Sequence, residues 1–235
     1  DLDINFETEF NFLHIGQISG KKEDDDRKGI VALIRLFCKA FQNNKNVGLV
    51  IKTNSSRNTT IDRQITKDML HEIIKANRVG DYPKIYLIHG SMNVLDVCKL
   101  YKHKKIKAFI SLTKGEGFGL PLLEAAAAGL PILATNWSGH LDFLNVIEKS
   151  FIKLNYELVD IPKHKVDERI FVPGAKWAKV IDDDVIIKMR KIYDSYSMPK
   201  QWAKDLQRAV LDKFNYRVME EKFRNAFDAQ RNNTK

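Results

Sequence analysis

Cysteine is scarce in this chain: only Cys38 and Cys98 occur, each inside an apolar pattern of helical spacing. A disulfide-stapled scaffold is therefore excluded, and both residues read as buried thiols of a reducing compartment, with the cytoplasm as the expected location. No Cys or His cluster has metal-ligand spacing, so neither a metal nor a cofactor is expected. No run approaches the roughly 18 apolar residues of a membrane span, and no secretory leader opens the sequence. The sequons Asn54-Ser55-Ser56 and Asn58-Thr59-Thr60 mean little without secretion. Internal repeats, low-complexity tracts and any Ser-His-Asp or Cys-His nucleophile set are missing too. The first residue is Asp1 rather than Met, which suits an excised part of a longer protein.

What is present suffices for a proper core: 44% of the 235 residues are hydrophobic and 10% aromatic. The formal net charge is +9, from 39 basic and 30 acidic side chains. That excess suits an anionic partner, whether nucleotide, nucleic acid or membrane surface, or else it is scattered solubilising lysine. No nucleic-acid-binding motif accompanies it, so no nucleic acid is expected as partner. A peripheral contact with a membrane surface stays open.

Taken in order, residues 1–9 are acidic and irregular and read as a linker. Apolar strands are expected at 10–18, 47–54, 84–90, 106–112 and 131–137, and at 150–154 as a last sheet strand. Between them lie helical patterns at 30–41, 61–77, 94–103 and around 138–144. Nearly all-apolar strands alternating with helices argue for a parallel sheet covered on both faces. The fold class is thus α/β, a doubly wound Rossmann-like sheet whose ligands meet the carboxyl ends of the strands. The stretch 155–180 gives no clear element. A helix at 182–196, with acids first and bases later, suits the helix dipole. A long helical pattern from 199 to 230 is interrupted near 214–216, and 231–235 reads as a frayed tail. One domain, 10–230, is the expectation.

The chain is organised around 113–131, TKGEGFGLPLLEAAAAGLP. The fourth strand enters a glycine-spaced loop carrying Glu116, and Pro121 sits where the first helical turn tolerates it. Gly129 supplies a left-handed stop before Pro131. Free backbone N–H groups at such a helix start attract phosphate. Yet Glu116 and Glu124 flank it, and acids suit partners that donate hydrogen bonds, such as sugar or ribose hydroxyls. The other reading is a common α/β turn, with Glu116 solvated and Glu124 serving the helix dipole. Spacing alone leaves both standing.

The string EGFGLPLLEAAAAGLPILAT, 116–135, resembles the Glu-x7-Glu signature of retaining GT-B glycosyltransferases, especially glycosyltransferase family four. The usual form is EGFGLPxLEAMAxGxPVxA, and the main departure is Ala for Met near Ala127. The resemblance implies that Glu116 contacts sugar hydroxyls and that the amides of Gly117, Phe118, Gly119 and Leu120 meet the donor phosphates and sugar. It implies that Glu124 binds the ribose, and that nucleobase contacts fall near His89, Gly90 and Ser91. It also matches Lys28, just before an apolar helix, to a donor-diphosphate contact. An Arg expected after the glycine ending the first strand is replaced by Gln17, which leaves one phosphate charge missing. Lys52, in the LVIKTN strand, is positioned to compensate; otherwise it snorkels or is paired structurally, since a lysine in a buried strand needs an anion or water.

Under this resemblance Glu116, Lys28 and Lys52 are the expected catalytic groups, acting without metal. Retention is explained in that family by front-face attack assisted by the leaving diphosphate, whose charge the protein neutralises. The chain would be the donor-binding C-terminal half, inactive alone. The acceptor (a glycan, lipid or protein) would be held by an absent N-terminal domain. A non-catalytic sugar-nucleotide-binding module is the alternative. Lys114 is expected as an exposed loop lysine, or else a phosphate contact. His140 is expected to be structural, His89 is equally a satisfied core or rim histidine or a ligand, and Trp137, Ser138 and Gly139 fall on the pocket rim. The charged run KKEDDDRK, 21–28, reads as a solvated loop whose acids neutralise its bases, or as part of the site.

Overall fold

The computed structural model describes residues 4–55 and 57–232. Residues 1–3 of the expected linker, Ser56, and residues 233–235 of the expected tail lie outside the described residues. The parallel sheet comprises β1 (Phe10–Ile15), β2 (Val47–Thr53), β3 (Lys84–His89), β4 (Ile106–Ser111), β5 (Ile132–Thr135) and β6 (Ile152–Leu154). Its strand order is β3-β2-β1-β4-β5-β6, with every pairing parallel. This is the doubly wound arrangement expected. The order reverses between β1 and β4, and the loops leaving those two strands diverge to open a crevice at their carboxyl ends.

The intervening helices are α1 (Ile30–Ala40), α2 (Thr60–Asn77), α3 (Val94–Tyr101), α4 (Leu120–Ala127) and α5 (Leu141–Leu144). Three more follow the sheet: α6 (Asp182–Asp194), α7 (Ser197–Lys213) and α8 (Tyr216–Asn232). Two cores result, one per face. Phe12, Leu33, Phe37 and Leu49 pack with Met189 of α6, while Leu13, Phe109, Leu122 and Phe143 pack with Leu206 of α7. α1 is buried nearly all round. Its exceptions are Lys39, which is exposed, and Arg35, which bonds Glu23 through Nε and Nη2 at 2.9 Å and reaches Asp182 at 2.6 Å, tying the 20–29 loop to α6.

Several expectations need correction. Residues 4–9 carry little regular structure, yet Phe6 is buried edge-on against Tyr86 and His103, at 5.1 and 5.0 Å between ring centres. The Tyr86 hydroxyl accepts from the Glu7 amide at 3.1 Å, so this segment is anchored. Cys38 is buried, its thiol pushed up to about 11 by desolvation, but Cys98 is exposed: it falls on the outer side of α3. The unassigned stretch forms an antiparallel ribbon, β7 (Tyr156–Asp160) with β8 (Lys176–Val180). Its pairing joins strands distant in sequence, which local periodicity does not report. The 199–230 pattern, by contrast, is two helices parted at Phe214–Asn215, in keeping with the interruption expected near 214–216.

Gly29 precedes α1 with φ +72, and a Cβ there would run into the Leu112 backbone. Gly29→Ala is expected to lose about 2–4 kcal/mol, combining left-handed strain with overpacking. Gly115→Ala meets nothing within 4 Å and should change stability by less than about 1 kcal/mol. Urea unfolding of both variants checks the contrast; equal losses would refute it.

Candidate functional site

The crevice at the strand ends is assembled from loops that hold one another. After β1, the 20–29 loop folds around Asp26, which is fully buried. Its Oδ1 accepts from the Ser19 hydroxyl at 2.9 Å and the Lys28 amide at 3.2 Å, and its Oδ2 from the Val31 amide at 3.0 Å. The last bond satisfies a first-turn N–H of α1 that Gly29, lacking a side chain, cannot cap. The loop is therefore not simply solvated, and Asp26 turns Lys28 toward the glycine loop.

There, Lys28 Nζ meets Glu116 Oε1 at 2.5 Å, with both side chains largely screened from water. Arg27 lies beside this pair and donates to the Gly115 carbonyl at 2.5 Å. Glu116 is clamped through its backbone. The Ser138 hydroxyl accepts from its amide at 2.9 Å and donates to its carbonyl at 2.6 Å, and the Gly139 amide donates to the same carbonyl at 3.1 Å. Gly139 itself leaves no room for a Cβ against the Gly117 carbonyl.

α4 begins at Gly119, left-handed at φ 87, with Pro121 in its first turn. No protein acceptor is found for the amides of Gly117, Phe118, Gly119 and Leu120 among the described residues. A Cβ built on Gly117 meets nothing within 4 Å, so the loop surface is open to a ligand. Phe118 lies tilted against Phe143, with ring centres 5.3 Å apart, and Leu120 is 60% exposed.

Lys52 lies at the end of β2, nearly buried, and donates to the Gly90 carbonyl at 2.5 Å. Desolvation pulls its ammonium below the usual lysine value, with no carboxylate recorded beside it. Gly90 adopts φ 106 to bring that carbonyl over. Gln17 donates to Asn54 at 3.2 Å and Ser91 accepts from Asn58 at 3.1 Å, both on the exposed rim. Glu124 points from α4 toward α3, where its Oε2 accepts from the Tyr101 hydroxyl at 2.9 Å. The fold thus joins Lys28 to Glu116 and Lys52 to Gly90, and sets Glu124 apart on the α3 side.

Lys114 is neither exposed nor free for phosphate. It is 6% exposed, lies over the Trp177 ring at 5.3 Å, and donates to the carbonyls of Glu23 at 2.6 Å and Asp24 at 3.2 Å. Its amide donates to Arg27 O and its carbonyl accepts from Ala178, so it pins the 20–29 loop and the ribbon to the β4 end. Lys114 and Ser138 were not legible as braces, because each finds its partners across long sequence separations, whereas Asp26 finds its own within seven residues, in a loop with no periodicity to read. Lys114 and Ser138 each precede a glycine, Gly115 and Gly139, which was the local signal they gave.

Two buried histidines lie beneath the Lys28–Glu116 pair. One ring nitrogen of each meets a backbone carbonyl, His14 with Ile110 and His140 with Thr135, both at 2.8 Å, and the other nitrogen is unpartnered. Burial is the largest influence on both and pulls each imidazole below its ordinary value, keeping it neutral. The unfolded chain then binds more protons around and below pH ~6.5, and stability falls as pH drops through that range. The expected slope is up to about 1.4 kcal/mol per pH unit for each histidine. Melting temperatures from pH ~7.5 down to ~5.5 check this, and a flat profile would contradict it.

Residues 21–153 match the family model described as glycosyl transferases group 1. Sucrose-phosphate synthase from Spinacia oleracea is 31% identical over 134 residues, covering 54% of this chain. A probable sucrose-phosphate synthase 1 from Oryza sativa subsp. indica is 29% identical over 59% of the chain. The chain spans only 12% and 13% of those two relatives. Among solved structures, the C-terminal domain of the group 1 glycosyl transferase LpcC from Francisella tularensis superposes with TM-score 0.60 at 16% identity. The match covers 89% of this chain and 88% of that one. HepE from Anabaena, crystallised with UDP-glucose, gives TM-score 0.63 at 13% identity, over 94% of this chain and 49% of its own. The structural likenesses show the Rossmann-like fold of one half, the C-terminal domain, of a GT-B protein, and the family match spanning most of the sheet and the glycine loop makes the chain a member of the glycosyl transferases group 1 family.

Proposed function

We propose that this chain is the donor-binding half of a retaining glycosyltransferase. The observation that carries the reading is the Lys28–Glu116 pair, held beside unpartnered amides at the start of α4 where the strand order reverses. A nucleoside diphosphate-sugar suits that combination. The free amides and the helix dipole accept the diphosphate, and Lys28 and Lys52 add positive charge. Glu116 accepts from sugar hydroxyls, and Glu124 takes the ribose. Gly90, Ser91 and Gln17 form the rim beside the base.

In this reading Lys28 and Lys52 are catalytic by neutralising the charge that develops on the leaving diphosphate, and Glu116 by orienting the sugar. Lys52 suits the task because its ammonium is desolvated and held by a neutral carbonyl, so an arriving phosphate gains a partner not already spent on a carboxylate. No metal or cofactor enters the proposal. The acceptor is held by an N-terminal domain, and the chain alone transfers little. Tyr216, Phe223 and Phe227, on one side of α8 and each more than 60% exposed, offer an apolar stripe for that domain to cover. A non-catalytic donor-binding module is the second reading, favoured only if transfer fails in a chain carrying both halves.

Calorimetric titration with UDP, GDP, ADP and UDP-glucose tests the proposal. One base is expected to bind saturably. Lys52→Ala and Lys28→Ala should each weaken it about 10- to 100-fold, as expected for a lost charged hydrogen bond of about 1.5–3 kcal/mol. Gly117→Ala should weaken binding while leaving the melting temperature unchanged, because its Cβ enters space that no protein atom fills. Absence of binding to every nucleotide, both here and with the N-terminal half attached, would overturn the proposal.

A further inference from the structure

Tyr101 is the last residue of α3, 2% exposed, its ring packed at 6.0 Å from that of Phe109. Its hydroxyl points across to α4 and lies within reach of two acceptors, the Pro121 carbonyl at 3.1 Å and Glu124 Oε2 at 2.9 Å. A phenol has one proton to donate, and the carboxylate is the stronger acceptor. Burial, then the Glu124 charge and hydrogen bond, raise the Tyr101 phenol well above its ordinary value, so it remains a donor at every physiological pH.

Glu124 itself is exposed, and this is the one hydrogen bond of its carboxylate among the described residues. Its Oε1 is thus left over at a cleft of about 280 Å³ between α3 and α4, walled by Met92, Val94, Val97 and Ala128. An exposed glutamate on a helix ordinarily samples several rotamers, and fixing it when a ligand arrives costs binding free energy. Here one oxygen is anchored on a buried, rigid ring before any ligand is present. The other is left free to accept.

We infer that Tyr101 is a positioning residue for Glu124, orienting its carboxylate to accept from the vicinal hydroxyls of a ribose in that cleft and thereby selecting ribonucleotides over nucleotides lacking those hydroxyls. The inference rests on the donor-site reading above. It adds a residue outside the glycine loop, on a different helix, and a basis for sugar-moiety selectivity. A merely structural Tyr101 would hold α3 to α4 through Pro121 and affect stability alone.

The test compares UDP with 2′,3′-dideoxy-UDP, or the corresponding GDP or ADP pair if that base binds, by calorimetry on the full chain. Melting temperature is read on every variant. Wild type is expected to prefer the ribose form. Tyr101→Phe, which keeps the buried ring, should weaken the ribose form about tenfold and the dideoxy form not at all. In a Glu124→Ala background the same substitution should have no further effect on either, a coupling that a double-mutant cycle isolates. Glu124→Gln retains an oxygen for the phenol and is expected to lose less of the preference than Glu124→Ala. A Tyr101→Phe variant that melts earlier but keeps the full ribose preference would overturn the positioning role and leave the donor site standing. Equal binding of ribose and dideoxy forms by wild type would overturn it together with the ribose role of Glu124. Absence of binding to all of them, both here and with the N-terminal half attached, would overturn it along with the donor-site reading.

Discussion

Both faces of the sheet are covered by helices, and that constraint governs everything polar in the molecule. A charged ligand cannot approach a strand from above or below, so it must meet the chain where the strands end and backbone groups come free. The reversal of strand order between β1 and β4 decides which end loops part company. The glycine loop after β4 and the charged loop after β1 face one another across that gap. Such loops would wander unless held, and a loop with unpaired amides is costly to hold. The chain meets the difficulty with buried polar braces, Asp26 under α1, Lys114 against Trp177 and Ser138 on the Glu116 backbone.

Those braces explain how acids coexist with the proposed anion site. Glu116 is engaged by Lys28, so its charge is matched before a ligand arrives. Glu124 is turned away from the glycine loop toward α3 and engaged by Tyr101. Lys52, in contrast, is bound to a neutral carbonyl, which leaves its charge uncompensated by any recorded carboxylate. The two sides of α4 therefore differ: a positive approach toward the strand ends, and a hydrogen-bond-accepting approach in the α3 cleft.

Much of the fold could be read from periodicity. Strands nearly all apolar over three to seven residues can hardly be anything but part of a covered sheet, and α1 showed its burial in IVALIRLFCKAF. The glycine loop and its proline were equally plain, since positive φ at Gly119 and the first turn of α4 have strong local residue preferences. What periodicity missed was long-range: the β7–β8 ribbon, the anchoring of Phe6, the outward face of Cys98, and the burial of Lys114. A lysine in a loop looks solvated until a tryptophan more than sixty residues later is laid beneath it.

The sequence by itself determined the alternation of strand and helix, the open glycine loop and the identity of the two glutamates, because each rests on preferences that act within a few residues. Only the tertiary structure decided which side chains are engaged and which are left free. Lys28 with Glu116 and Tyr101 with Glu124 are separated by 88 and 23 positions along the chain. Charge pairing and hydrogen bonding depend on distance in space, and that distance exists only once the sheet order has brought the strand ends together.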